Sequence, residues 1–148
     1  METEAIESML AEAGRAGVYQ LTGEARDVAR AAERAGLACF RIDIGHAHNK
    51  GDFLDLLAKA MRFPDWFGRN WDALADCLED LSWIEAPGWV VVLEKSKHFG
   101  AGHKREFDEA MDLMAEVATW WRGQGKPFWV LVGGPDGWAS GYCALPSS

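Results

Sequence analysis

Trp89-Val90-Val91-Val92-Leu93 and Phe128-Trp129-Val130-Leu131-Val132 decide the fold. Each is a short, unbroken apolar run rich in β-branched and aromatic residues, and a strand reads this way when both of its faces are covered. Between them, from about Lys104 to Arg122, the sequence has the pattern of one long helix, stopped by Gly123-Gln124-Gly125. A helix joining two buried strands is the parallel crossover unit. Working back toward the N-terminus, Phe40-Arg41-Ile42-Asp43-Ile44 alternates apolar and polar residues, as a strand with one exposed face does. From Asp52 to Phe63 the side chains of Phe53, Leu56, Leu57, Ala60 and Met61 recur at helical spacing. An alanine-rich helix precedes them over Glu24–Ala35, a short strand candidate lies at Val18–Leu21, and residues 4–13 form a short amphipathic helix ended by Gly14. The order predicts an α/β fold, a small parallel β-sheet with helices packed on its faces. Residues 133–148, rich in Gly, Ser and Pro, read as a loose C-terminal tail from which Trp138 and Tyr142 can dock back.

Length and charge narrow the function. The chain has 148 residues, one domain's worth, and 15 Lys+Arg against 23 Asp+Glu give a net charge of -8. That balance opposes direct nucleic-acid binding, which needs a basic surface. A hydrophobic share of 49% with 8 Trp excludes a disordered acidic segment. No apolar run reaches the ~18 residues of a membrane span, and the start Met1-Glu2-Thr3-Glu4-Ala5-Ile6 lacks the basic region of a signal peptide. Cys39, Cys77 and Cys143 are odd in number and lack C-x-x-C spacing, so a reducing, cytoplasmic setting is expected.

One segment carries the chemistry. Phe63-Pro64-Asp65-Trp66-Phe67-Gly68-Arg69 reads as a loop bracketed by Pro64 and Gly68, and Asn70 is a good N-cap for a helix from Trp71 to about Leu81. Trp71, Leu74, Ala75, Leu78 and Leu81 fall on its core side. Asp72, Asp76, Glu79 and Asp80 fall on another, as an acidic stripe with no Lys or Arg to offset it. Like charges at i, i+4 cost a helix a few tenths of a kcal/mol per pair. Only Asp72 lies close enough to the helix N-terminus to be compensated there. A solvated helix face also looks like this, but a local cost without a folding benefit marks a functional surface. Trp66, beside the stripe, is the residue type that anchors interfaces.

The string from Phe63 to Leu78 resembles the loop and second helix of the barstar family of intracellular ribonuclease inhibitors. It matches the pattern Pro-acidic-aromatic-aromatic-Gly-x-Asn-x-Asp-Ala-Leu-x-Asp-Cys-Leu without a gap. Trp83-Ile84-Glu85-Ala86-Pro87 is similar to the family's step into the next strand, after a two-residue insertion. The resemblance implies a barstar-like domain over residues 38–132, with residues 1–37 a helix–strand–helix extension packed on it and 133–148 the tail. It further implies an antitoxin or immunity protein that plugs the active site of a barnase-like or other small basic ribonuclease. Asp76 would stand in for an RNA phosphate against the enzyme's Arg and His, with Asp72 a second interfacial carboxylate and Trp66 packed on the active site. Gly68 and Asn70 would set the loop as turn and cap, Trp83 would border the contact, and Asp80 would extend the stripe. The partner would be a protein, neither nucleic acid nor membrane, and no cofactor or metal is expected; the oligomeric state stays open, with Trp120, Trp121 and Trp138 available for a self-contact. Two departures stand out. Ala75 occupies a position where the family has Trp, and the family's acidic residue on the later helix falls near Trp120, with Glu116 the nearest carboxylate.

The alternative is a non-inhibitory acidic interaction module on the same scaffold. A hydrolase using Asp72 and Asp76 as acid and base is a poorer fit, because such pairs face each other across a cleft. His46-Ala47-His48 reads as a surface pair at a strand end, since a metal site needs a third ligand and only Cys39 is near in sequence. His98 and His103 flank the Gly-rich turn Phe99-Gly100-Ala101-Gly102 and are expected to cap the long helix. Cys77 reads as a small, partly buried residue with no base to activate it. Gly133-Gly134-Pro135-Asp136-Gly137 lacks the Lys-Ser/Thr of a phosphate loop and reads as a turn.

Overall fold

Apolar runs at the centre of a sheet and an alternating run at its edge are what burial demands, and the strands are arranged in that way. The computed structural model, which describes residues 3–135 and 138–145, has four strands: β1 (Val18–Gln20), β2 (Ala38–Asp43), β3 (Trp89–Glu94) and β4 (Phe128–Val132). They form one parallel sheet in the order β1-β4-β3-β2. The interior strands β3 and β4 are buried throughout, apart from Glu94 at the end of β3. At the β2 edge, Arg41 and Asp43 reach water while Ile42 between them is buried.

Strand alternation divides the core in two. Trp89, Val91, Leu93, Phe128, Val130 and Val132 face the helices α3 (Lys50–Ala60), α4 (Trp71–Asp80), α5 (Lys97–Gly102) and α6 (Lys104–Gly123). Val90, Val92, Trp129 and Leu131 face the opposite way, where α1 (Thr3–Leu10) and α2 (Ala25–Arg34) cover them with Ile6, Leu10, Val28 and Ala31. The Trp129 Nε1–H donates to the Leu10 carbonyl at 2.9 Å, and the Trp121 Nε1–H to the Leu78 carbonyl at 2.8 Å. These bonds let large indoles be buried without an orphaned donor. At the entry to β3 the backbone passes so close to Pro127 that a Cβ on Gly88 would lie 2.6 Å from its ring, so only glycine fits.

Local chemistry moves several helix ends from their expected places. Asn49 Oδ1 accepts from the Asp52 N–H at 2.8 Å, so α3 starts two residues earlier than periodicity alone suggests. It ends at Ala60 because Arg62 turns left-handed (φ 54°) and the Phe63 N–H reaches the Ala58 carbonyl at 2.9 Å, a Schellman closure. The Gly-rich segment expected as a turn is instead the short helix α5. His98 lies within it, and His103 makes no side-chain cap to α6.

The described part of the tail is docked, not loose. The Gln20 N–H donates to the Cys143 carbonyl (2.7 Å) and the Leu145 N–H to the Gln20 carbonyl (2.9 Å), a single parallel bridge beside β1. Leu145 is buried among the residues under α1 and α2. Trp138 packs over Gly100 and Gly134, where a side chain would displace it, and the Tyr142 hydroxyl donates to Asp108 on α6 at 3.1 Å. Apolar anchors spaced along the segment outweigh its loop-like composition.

Candidate functional site

The loop between α3 and α4 is held by aromatic packing and a bidentate ion pair. Phe63 and Phe67 meet with ring centroids 4.9 Å apart, and Trp83 joins Phe63 at 6.1 Å while its Nε1–H donates to the Met61 carbonyl at 2.9 Å. Trp66 stands edge-on to Trp83 at 6.4 Å and remains 57% exposed. Phe67 is therefore the inward anchor and Trp66 the outward one, with Trp83 beside it. Arg69 forks onto Asp55 of α3 through two hydrogen bonds of 2.7 and 3.0 Å, tying the loop down just before α4.

Asn70 caps α4, its Oδ1 accepting from the Ala73 N–H at 2.8 Å. The left-handed residue that turns the chain is Arg69 (φ 53°), and Gly68 has no positive φ. The expectation that Gly68 sets the turn is thus corrected. A Cβ there would meet nothing closer than 3.5 Å. Asn70→Ala is expected to cost about 1 kcal/mol through the lost cap, whereas Gly68→Ala should shift stability by less than about 0.5 kcal/mol. Thermal melts of both variants check this.

Helix α4 buries Leu74, Cys77 and Leu78 and exposes Asp72, Asp76 and Asp80. Among the described residues none of these three carboxylates has an ion-pair partner. Trp71 is half-buried against Phe53 at 6.3 Å, with the Lys50 ammonium 4.8 Å from its ring centroid. Glu79 leaves the stripe and turns toward α6. Its partial burial, then the charges of Asp76 and Glu116, hold its carboxyl above the ordinary range. The acidic face therefore extends from α4 to Glu116, and Trp120 (41% exposed) follows one turn later. That approach between helices was not visible in the sequence.

The shift has a stability consequence with a definite sign. A carboxyl whose folded pKa lies above its unfolded value favours folding when protonated, and that advantage is lost as pH rises through the folded pKa. Glu79→Gln is expected to raise the melting temperature at neutral pH, with the gain vanishing in acid below the carboxylate range. Melting curves across that interval measure it.

Cys77 is fully buried, more than expected, and burial followed by Asp76 and Asp80 pushes its thiol up to about 11. Burial does the same to Cys39, also to about 11, and all three cysteines are free. His48, in the loop before α3, pairs with His98 of α5 (Nδ1 to Nε2, 3.3 Å) rather than with His46. Trp121 is buried and Trp138 half-buried, which leaves Trp120 as the exposed member of the three tryptophans named for a self-contact. Among the described residues no group of three or more His, Cys, Asp or Glu has a metal-holding arrangement, and no helix is long and apolar enough to cross a membrane.

Comparison with known proteins bears on this face. No curated protein matches the chain. Among solved structures, the Aeropyrum pernix ORC2 protein (ADPNP-ADP complexes) is similar over 90% of this chain and 40% of its own, with a TM-score of 0.58 and 16% identity. The chain thus spans less than half of that protein, and the likeness is one of fold. The family model described as Barstar (barnase inhibitor) matches residues 37–133, from the start of β2 to the end of β4, including the loop and α4. The chain belongs to the Barstar (barnase inhibitor) family.

Proposed function

We propose that the chain is an intracellular inhibitor, of antitoxin or immunity type, of a small basic ribonuclease, and that α4 and its preceding loop plug the enzyme's active site. The observation that carries this reading is a row of exposed, unpaired carboxylates, Asp72, Asp76 and Asp80, beside the outward-facing Trp66. A ribonuclease site is cationic because it holds phosphate, so fixed carboxylates and an aromatic plate complement it. Asp76 takes the place of a phosphate, Asp72 the neighbouring contact, and Trp66 packs on the enzyme with Trp83 behind it. Asn70 holds the helix start, and Gly68 leaves the loop without a side chain where the two proteins meet. Glu116, one turn before Trp120, supplies the acidic contact that the family has later on α6. A net charge of -8 steers encounter with a basic enzyme.

The test captures basic proteins from the source cell with the wild-type chain and an Asp72→Ala, Asp76→Ala double variant, then assays the captured protein for RNA cleavage. Inhibition of cleavage by wild type alone supports the proposal. A partner held equally by both baits sinks it. Binding that leaves cleavage untouched favours the acidic interaction module instead.

A further inference from the structure

The charge of this molecule is unevenly spread. A cleft of about 750 Å³ opens at the carboxyl ends of the strands, away from α4 and its loop. Four cationic side chains, Arg26, Arg41, Lys95 and Lys97, line it against two carboxylates, Glu24 and Glu94. In a chain carrying -8 overall, a lining with two more cations than carboxylates is a local reversal of sign.

Topology supplies a second reason. The connection leaving β1 leads into α2 on one face of the sheet, while those leaving β2 and β3 lead into α3 and α5 on the other. Between them the chain parts and leaves a crevice, and in open parallel sheets ligands bind in such a crevice at the carboxyl ends of the strands. Glu24, Ala25 and Arg26, the start of the ten-residue helix α2, form one wall. No side chain caps that start; Asp27 lies in its first turn with its N–H bonded to the Glu24 carbonyl at 3.1 Å, and the positive end of the helix stands at this wall. Lys95 and Lys97 form the opposite wall, and Gly133 and Gly134 bring bare backbone to the floor.

Arg41 and Lys95 already have partners: Arg41 is bidentate on Glu94 (2.9 and 3.0 Å) and Lys95 lies 3.3 Å from Asp43. Arg26 and Lys97 have no ion pair among the described residues. Their charges are the ones a ligand would engage first. The volume exceeds what an inorganic anion fills, and it lies in the range of small-molecule sites, about 300–1,000 Å³. Leu21, Ala25 and Pro135 give it an apolar side.

We propose that this cleft binds a phosphorylated small molecule, with its phosphate between the start of α2, Arg26 and Lys97. The site is independent of the acidic face, since none of its lining residues belongs to α4 or the preceding loop.

Calorimetric titration and thermal-shift measurements with pyrophosphate, ribose 5-phosphate and ribose test it on the full chain. Pyrophosphate and ribose 5-phosphate are expected to bind at or below about 1 mM and raise the melting temperature, with ribose silent. The Arg26→Gln, Lys97→Gln pair should weaken binding about tenfold or more, since each loses a charge-assisted contact. Both residues are exposed, so the fold is unaffected. Glu94→Gln removes a like charge and frees Arg41, so it should tighten binding. Equal binding of ribose and its phosphate, silence of both anions, or affinities unchanged in the variants would each overturn the proposal.

Discussion

Asp76→Ala is expected, on the proposed mechanism, to weaken inhibition of a target ribonuclease by roughly 10²–10⁴-fold, because removing one partner of a desolvated ion pair costs about 3–5 kcal/mol. Most of that loss is the enzyme's own cations left buried without a counter-charge. The fold gains slightly, since Asp76 is exposed, has no ion pair among the described residues and repels Asp72, Asp80 and Glu79. The expected result is therefore a separation of two readouts: an inhibition constant that collapses and a melting temperature that stays or rises. Inhibition kept within a few-fold of wild type would remove α4 from the mechanism. Raising the salt should slow association of the wild-type chain and affect the variant less, because fewer charges steer it.

Deleting residues 1–36 is expected to abolish cooperative unfolding. The deletion removes α1, β1 and α2 and strips the cover from Val90, Val92, Trp129 and Leu131. Four side chains at about 1.5–3 kcal/mol each rival the ~5–15 kcal/mol that holds a whole domain together. It also orphans the Trp129 Nε1–H now bonded to Leu10, and removes Gln20, on which the tail is anchored. A broad melt with strong binding of a hydrophobic dye is the expected outcome. A sharp transition near that of the full chain would show that the segment matched by the family model folds without this cover. The milder Leu10→Ala, at about 2–5 kcal/mol, should melt cooperatively but earlier.

The strands were legible because burial leaves a direct mark: unbroken apolar runs at β3 and β4, alternation at β2. The acidic stripe and the Asn70 cap were legible because helix spacing converts positions into faces. What could not be read depended on partners distant in the chain. Glu79 reads as part of the stripe until α6 brings Glu116 to it, and His48 reads as a companion of His46 until α5 brings His98 within 3.3 Å. The turn at Arg69 was missed because a glycine stood next to it, yet the Asp55 fork lets an arginine hold the left-handed conformation. The tail's composition reads as loose, and although Trp138 and Tyr142 stood out as residues able to dock back, the seat of Leu145 beside β1 depends on a partner far away in the chain.

The docked tail also changes what the sheet can do to another copy of the chain. A strand at the rim of a sheet offers a row of unused backbone groups, and such a rim is a template on which further chains pair and aggregate. On the β1 side, the Gln20 N–H and carbonyl are already bonded to the chain's own residues 143 and 145. On the β2 side, the solvent-facing Arg41 and Asp43 make a second chain's approach unfavourable. A sheet with all four strands parallel and its two interior strands almost wholly apolar needs both guards, and residues 138–145 supply one of them.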